Sequence, residues 1–172
     1  MNEVCKAICQ RRSIRSYQTT QIPDVEVKMI VECGLYAASS MGKQASKLLV
    51  IRDSQWIKEL SACNASFTAN PQADPFYGAP LLIIVLAAKE NEKGKEDGSL
   101  IMANLMLSAY SLGIGSCWIH RAKEMIESEC GQRLLQTMGI KGEWVGIANC
   151  ILGYPSQDVK AAPRHEGRVA YL

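Results

Sequence analysis

Three arginines fall within five residues near the N-terminus, in Arg11-Arg12-Ser13-Ile14-Arg15. A guanidinium can hold two phosphate oxygens at once, and a serine hydroxyl adds a further donor, so this set suits a phosphate group. The run reads equally well as a solvated charge cluster after a short helix. A second segment, Ala37-Ala38-Ser39-Ser40-Met41-Gly42-Lys43-Gln44, joins small side chains to hydroxyl and amide groups. Small residues let a ligand approach the backbone, and Ser39, Ser40 and Gln44 can hydrogen-bond it. Taken alone, the segment is a polar connection between a helix and a strand.

A third segment is Gly113-Ile114-Gly115-Ser116-Cys117-Trp118-Ile119-His120. It begins like a dinucleotide-binding turn. Trp118 stands where the third glycine belongs, however, and the element before it is a helix where that turn needs a strand. The segment reads instead as a strand whose backbone lies along a flat ligand. His120 could donate a proton or offer only its backbone, and Cys117 could be a redox thiol or a core residue. In the tail, Arg164 could bring one more cation to a phosphate.

These segments need a scaffold, and the hydrophobic pattern supplies one. It predicts helices over 4–10, from Asp24 to Ala38, 54–63, 97–112 and 122–138, and strands over 47–51, 80–87, 114–119 and 144–152. Val27, Ile30, Val31, Leu35 and Ala38 share one helix face. The 97–112 helix is apolar nearly all round, as in a core or a dimer interface, and Gly113 ends it. Residues 66–78 read as a loop that covers a site, and 91–98 as a solvated loop. The elements make one domain over residues 1–172.

Composition removes several alternatives. The net charge of +2 is too small for nucleic acid or an anionic membrane surface. No apolar run reaches the roughly 18 residues of a membrane span. The seven cysteines contain no C-x-x-C pair, and with two histidines they offer no zinc-ligand spacing. No G-x-S-x-G nucleophile turn occurs. The N-terminal segment lacks a signal peptide's apolar stretch, so the thiols read as reduced and the compartment as cytoplasmic.

Five motifs then occur in order: R-R-S-I-R-S-Y at 11–17, A-A-S-S-x-x-x-Q at 37–44, Pro75-Phe76-Tyr77-Gly78-Ala79-Pro80, L-G-I-G-S-C-W-I at 112–119 and L-G-Y-P at 152–155. In this set the chain resembles the nitroreductase family of FMN enzymes, in its short compact form, over nearly its whole length. The resemblance implies an α+β fold with a central mixed sheet flanked by helices. It also implies a homodimer with a helical interface and two FMN sites. Arg11, Arg12, Ser13 and Arg15 would hold the phosphate, ribityl chain and pyrimidine edge, with Arg164 completing the phosphate site. Ala38, Ser39, Ser40, Gly42 and Gln44 would reach the flavin of the other subunit. Cys117, Trp118, Ile119 and His120 would line the isoalloxazine.

The implied activity is transfer of a hydride from NAD(P)H, via flavin N5, to a small electrophilic acceptor such as a nitroaromatic or quinone. The cofactor carries that chemistry, so no catalytic side chain is named. The chain departs from the family pattern at Gly42, where an asparagine is common, and at Ala45-Ser46, where Pro-Trp is common. At Ala162 a second cation is often found. These departures motivate an alternative, an FMN-binding carrier or redox sensor without significant turnover.

Overall fold

The run Leu81–Ala88 is buried at every position, as a strand covered on both faces must be. In the computed structural model, which describes residues 1–172, it forms an inner strand. The elements in chain order are α1 (Glu3–Gln10), α2 (Asp24–Leu35), β1 (Ser46–Ile51), α3 (Ser54–Ser66), β2 (Leu81–Ala88) and α4 (Gly94–Ser111), then β3 (Gly115–Ile119), α5 (Ala122–Glu127), α6 (Glu129–Thr137) and β4 (Trp144–Gly153). The sheet order is β1-β2-β4-β3.

Strand periodicity divides the core in two. Leu82, Ile84 and Leu86 face one side, packing with Ile57 and Leu60 of α3, Met125 and Ile126 of α5, and Leu134 and Leu135 of α6. Leu81, Ile83 and Val85 face the other, against Val27 and Ile30 of α2 and Ile101, Met102, Leu105 and Ala109 of α4. The α2–α4 crossing is close: a Cβ on Gly34 would lie 2.6 Å from a Leu105 methyl.

The α+β architecture with flanking helices is the expected one, with three differences of detail. All four strands pair antiparallel, and the parallel character of the expected mixed sheet is confined to an isolated bridge between Ser13 and Ser116. Strand direction depends on which end of the sheet each connection returns to, and local periodicity does not encode that. Second, α4 begins at Gly94, inside the stretch read as a solvated loop. Lys95 and Glu96 are exposed on the first turn of α4, where acidic residues also favour a helix N-terminus.

Third, the helix expected over 122–138 breaks at Ser128, whose backbone is extended (φ −74°, ψ 165°). The Ser128 hydroxyl accepts the Gly131 N–H at 3.3 Å and starts α6 as its N-cap. Gly131 permits the sharp break, since a Cβ there would lie 2.2 Å from the Met125 carbonyl oxygen.

The outward side of the α1, α2 and α4 layer remains apolar. Val4, Ile8, Leu35, Tyr36 and Leu100 are about half exposed or more. A groove of about 470 Å³ runs between these helices, lined by Val4, Ala7, Cys33, Tyr36 and Leu107 among others. No helix is long and apolar enough to cross a membrane.

Candidate cofactor site

The basic segment leaves α1 in extended form and adds itself to the β3 edge. Ser13 bridges Ser116, and the Ile14 N–H donates to the Ser116 carbonyl at 3.0 Å. Ile14 is buried against the sheet end. Tyr17 donates its hydroxyl to the Ile14 carbonyl at 2.6 Å and bridges Pro155. Because the Ser13–Ser116 bridge is parallel, Arg11 falls toward Gly113 and Ile114, and Arg15 toward Trp118.

A pocket of about 290 Å³ opens where these segments meet. Arg11, Arg12, Tyr110, Gly113, Ser116 and Pro155 are among its walls. Nη1 of Arg11 is buried there without a hydrogen-bond partner, as is Oγ of Ser116, and Nε1 of Trp118 is also buried and unpartnered. An unpaired buried polar group costs about 1–3 kcal/mol, so native structures rarely leave one unexplained. Phosphate oxygens would satisfy the guanidinium and the hydroxyl together. One acid, Asp158, also lines the pocket.

The arginines have different jobs. Arg12 donates from Nη1 to the carbonyls of Cys9 at 2.8 Å and Arg11 at 2.6 Å. It therefore serves the open C-terminus of α1, where a cation is favoured. Arg15 is exposed, and Arg164 lies in the exposed tail outside the pocket walls.

The far end of β3 is held by two buried amides. The His120 carbonyl accepts from Asn64 at 2.9 Å and from Asn149 at 3.3 Å. Neither asparagine is more than 1% exposed. The backbone then turns through Arg121 at φ 66°. The rings of Trp118 and His120 lie 5.9 Å apart and tilted by 48°. Cys117 is buried in the core on the α3 side, and Ile119 packs against that same core. Trp118 packs on the opposite side of the sheet, so the Cys117 thiol is turned away from the side that carries Trp118.

The serine loop is built by a different anchor. Asp97, at 3% exposure, accepts the Ser40 N–H at 2.9 Å and the Asn91 amide at 2.9 Å. The Ser39 hydroxyl accepts the Gln44 N–H at 3.0 Å. Met41, Gly42 and Gln44 all have positive φ, which turns the loop sharply. Ala38, Gly42 and Gln44 are exposed, and Ser39 and Ser40 partly so. The loop leads into β1, at the sheet edge opposite β3. Two strands intervene, a separation of about 14 Å at ordinary strand spacing. One chain does not bring residues 38–44 to its own Arg11 pocket.

Sequence reasoning missed Asp97 and Asn64. Asp97 follows Lys95 and Glu96 in a polar stretch, so nothing in its neighbours marked it as a buried, paired acid. Asn64 gave no signal, because its partner is 56 residues away. The loop over 66–78 folds back on α3: the Asp74 carboxylate accepts the N–H groups of Phe76 at 3.0 Å and Gly78 at 2.7 Å, and the Ser61 hydroxyl. A separate cavity of about 560 Å³ lies between that loop and α3.

The chain folds into an α+β domain with a pocket lined by Arg11, Arg12 and Ser116 at the edge of its sheet. Residues 8–154 match the nitroreductase family, and the chain belongs to that family. It is 29% identical over 163 residues to a protein of Archaeoglobus fulgidus that carries the provisional name NADH dehydrogenase/NAD(P)H nitroreductase, covering 92% of this chain and 88% of that one. It is 24% identical over 179 residues to an NADPH-flavin oxidoreductase of Vibrio harveyi, covering 95% and 70%. Among solved structures, a nitroreductase with bound FMN from Bacteroides fragilis superposes with a TM-score of 0.92 at 25% identity, over the full length of both chains.

Proposed function

We propose that this chain is an FMN-dependent oxidoreductase that takes a hydride from NADH or NADPH and passes it to a small electrophilic acceptor, a nitroaromatic, quinone or similar compound. The observation that carries the reading is that Arg11, with its buried, unpartnered Nη1, and Ser116, with its unpartnered hydroxyl, line one pocket. Arg11, Ser13 and Ser116 would hold the phosphate and ribityl chain, with Arg15 toward the pyrimidine edge and Arg12 keeping the helix end in place. Arg164 would join them if the tail folded back on the pocket. The backbone from Cys117 to His120, held by Asn64 and Asn149, would orient the ring. When bound, FMN supplies the hydride chemistry.

We further propose that the working form is a homodimer in the cytoplasm. The apolar outer side of α1, α2 and α4 supports a second copy, because an exposed apolar surface of that kind marks an interaction site. The position of residues 38–44 supports it independently, since Ala38, Ser39, Ser40, Gly42 and Gln44 can meet a flavin only on another chain. All seven cysteines are free, which fits a reducing compartment.

The test is absorbance of the purified protein followed by rapid mixing with each nucleotide and an acceptor screen. A yellow protein bleached by NADH or NADPH and reoxidised by a nitroaromatic or quinone is expected. A colourless protein that ignores added FMN would overturn the reading. Gly42, Ala45 and Ser46 favour a second reading, a flavin carrier or redox sensor. Stable flavin binding with no bleaching by either nucleotide would select it.

A further inference from the structure

Two helices on the α3 side of the sheet face each other through a short stripe of reactive groups. On α3, Trp56, Glu59 and Cys63 follow one another at spacings of three and four, so they share one face. On α6, Cys130 and Arg133 do the same. Arg133 pairs with Glu59 and lies over the Trp56 ring at 5.1 Å from its centre. One turn onward from Glu59 is Cys63, and one turn back from Arg133 is Cys130. The antiparallel arrangement sets the two thiols against each other. The hydroxyl of Ser128, which caps α6, lies 3.2 Å from the Cys63 sulfur, and Cys63 and Arg133 are the groups that act on the Cys130 thiol.

The other cysteines have no such partner. Cys5, Cys9 and Cys33 are exposed on α1 and α2, while Cys117 and Cys150 are buried in opposite halves of the core. Cys63 and Cys130 are both half-buried and both pack against the same core.

We propose that Cys63 and Cys130 are a modification site for peroxide, oxidised to a disulfide that joins α3 to α6. Burial, with Cys63 alongside, pushes the Cys130 thiol up, and Arg133 offsets part of that. The first attack is assigned to Cys63, whose sulfur lies 3.2 Å from the Ser128 hydroxyl. The Cys63 sulfur gives up its proton and breaks the O–O bond of hydrogen peroxide, forming a sulfenic acid, and the hydroxide displaced takes up that proton to leave as water. Cys130 then attacks the Cys63 sulfur and displaces hydroxide, which takes up a proton to leave as a second water. Two thiols and one peroxide give one disulfide and two waters. The bond forms one residue from Asn64, which holds the His120 carbonyl.

The test treats the full-length protein with hydrogen peroxide, blocks free thiols with N-ethylmaleimide and maps the peptides by mass spectrometry. The expected result is a Cys63–Cys130 cross-linked peptide lighter by two hydrogens, removed by dithiothreitol. Cys130→Ser should stop the reaction at a Cys63 sulfenic acid that dimedone traps, and Cys63→Ser should abolish cross-linking while leaving Cys130 alkylatable. Full alkylation of both cysteines after peroxide, or disulfides joining other pairs instead, would overturn the proposal.

Discussion

The buried carboxylate of Asp97 accepts the backbone N–H of Ser40 at 2.9 Å, fastening the first turn of α4 to a loop 57 residues earlier. Its second oxygen is held by Asn91, so both carboxylate oxygens are engaged. Asp97→Ala strands both donors, and the cost is about 1–3 kcal/mol of stability by the usual penalty for an unmet buried group. Asp97→Asn keeps an acceptor for Ser40 and should lose less. Urea unfolding of the two variants measures this. If residues 38–44 reach a partner's flavin, Asp97→Ala also weakens FMN binding although it lines no part of the Arg11 pocket.

Arg11 and Arg12 are neighbours with separable effects. Arg11→Ala removes a charge-assisted donor worth about 1.5–3 kcal/mol, so the Kd for FMN should rise roughly tenfold to a hundredfold. Arg12→Ala should chiefly loosen α1, because Nη1 of Arg12 is engaged by the carbonyls of Cys9 and Arg11. Lys58→Ala, on the exposed face of α3, serves as the control, and Arg164→Ala should behave like Arg11→Ala if the tail closes over the phosphate. Fluorescence titration of the apoprotein with FMN distinguishes them, and equal affinity across all variants would contradict the site.

Alkaline pH should destabilise the fold. Burial raises the Tyr17 phenol well above its ordinary value, with Cys117 and Cys150 adding to the effect. Burial likewise raises the Cys150 thiol, again helped by Cys117. The folded state holds both protons more tightly than the unfolded chain, whose thiol and phenol titrate near 9.0 and 10.0. The stability is therefore fully present below about pH 9 and falls as the unfolded chain begins to lose protons, by about 1.4 kcal/mol per pH unit for each group. Urea midpoints between neutrality and strong alkali should show the fall, and Tyr17→Phe with Cys150→Ala should flatten it.

Leu107 lines the groove between α1, α2 and α4 on the outer side of the helical layer. Leu107→Asp should leave the core intact and place a charge in the proposed interface, where an unpaired charge is costly. Sedimentation should show monomers with an unchanged circular dichroism spectrum, and bound FMN should fall in parallel. A dimer that survives this change would place the interface elsewhere.

Much of this protein is written in local pattern. The alternation that sends Leu82 and Ile84 to one core and Leu81 and Ile83 to the other follows from the strand period. The α2 face carrying Val27 and Ile30 follows from the helix period. The basic segment, the serine loop and the Gly115–Ile119 strand were recognisable from residue types and order, because backbone approach and phosphate contact each demand a narrow set of side chains. The break at Ser128 was masked by helix-favouring neighbours on both sides, and it depends on Gly131 passing close to the Met125 carbonyl.

What local pattern could not supply was which groups meet. Arg11 and Arg12 look alike in the chain, but folding gives one a helix end and leaves the other unpaired in a pocket. Cys117 reads as either a redox thiol or a core residue until the pleat of β3 turns its sulfur into the α3-side core. Asn64 and Asn149 share the His120 carbonyl, and Asp97 finds Ser40, only because distant segments are brought together by packing. Covalent neighbours determine helix and strand through short-range sterics and hydrogen bonding. Burial, and with it the pairing of every polar group, depends on the whole chain.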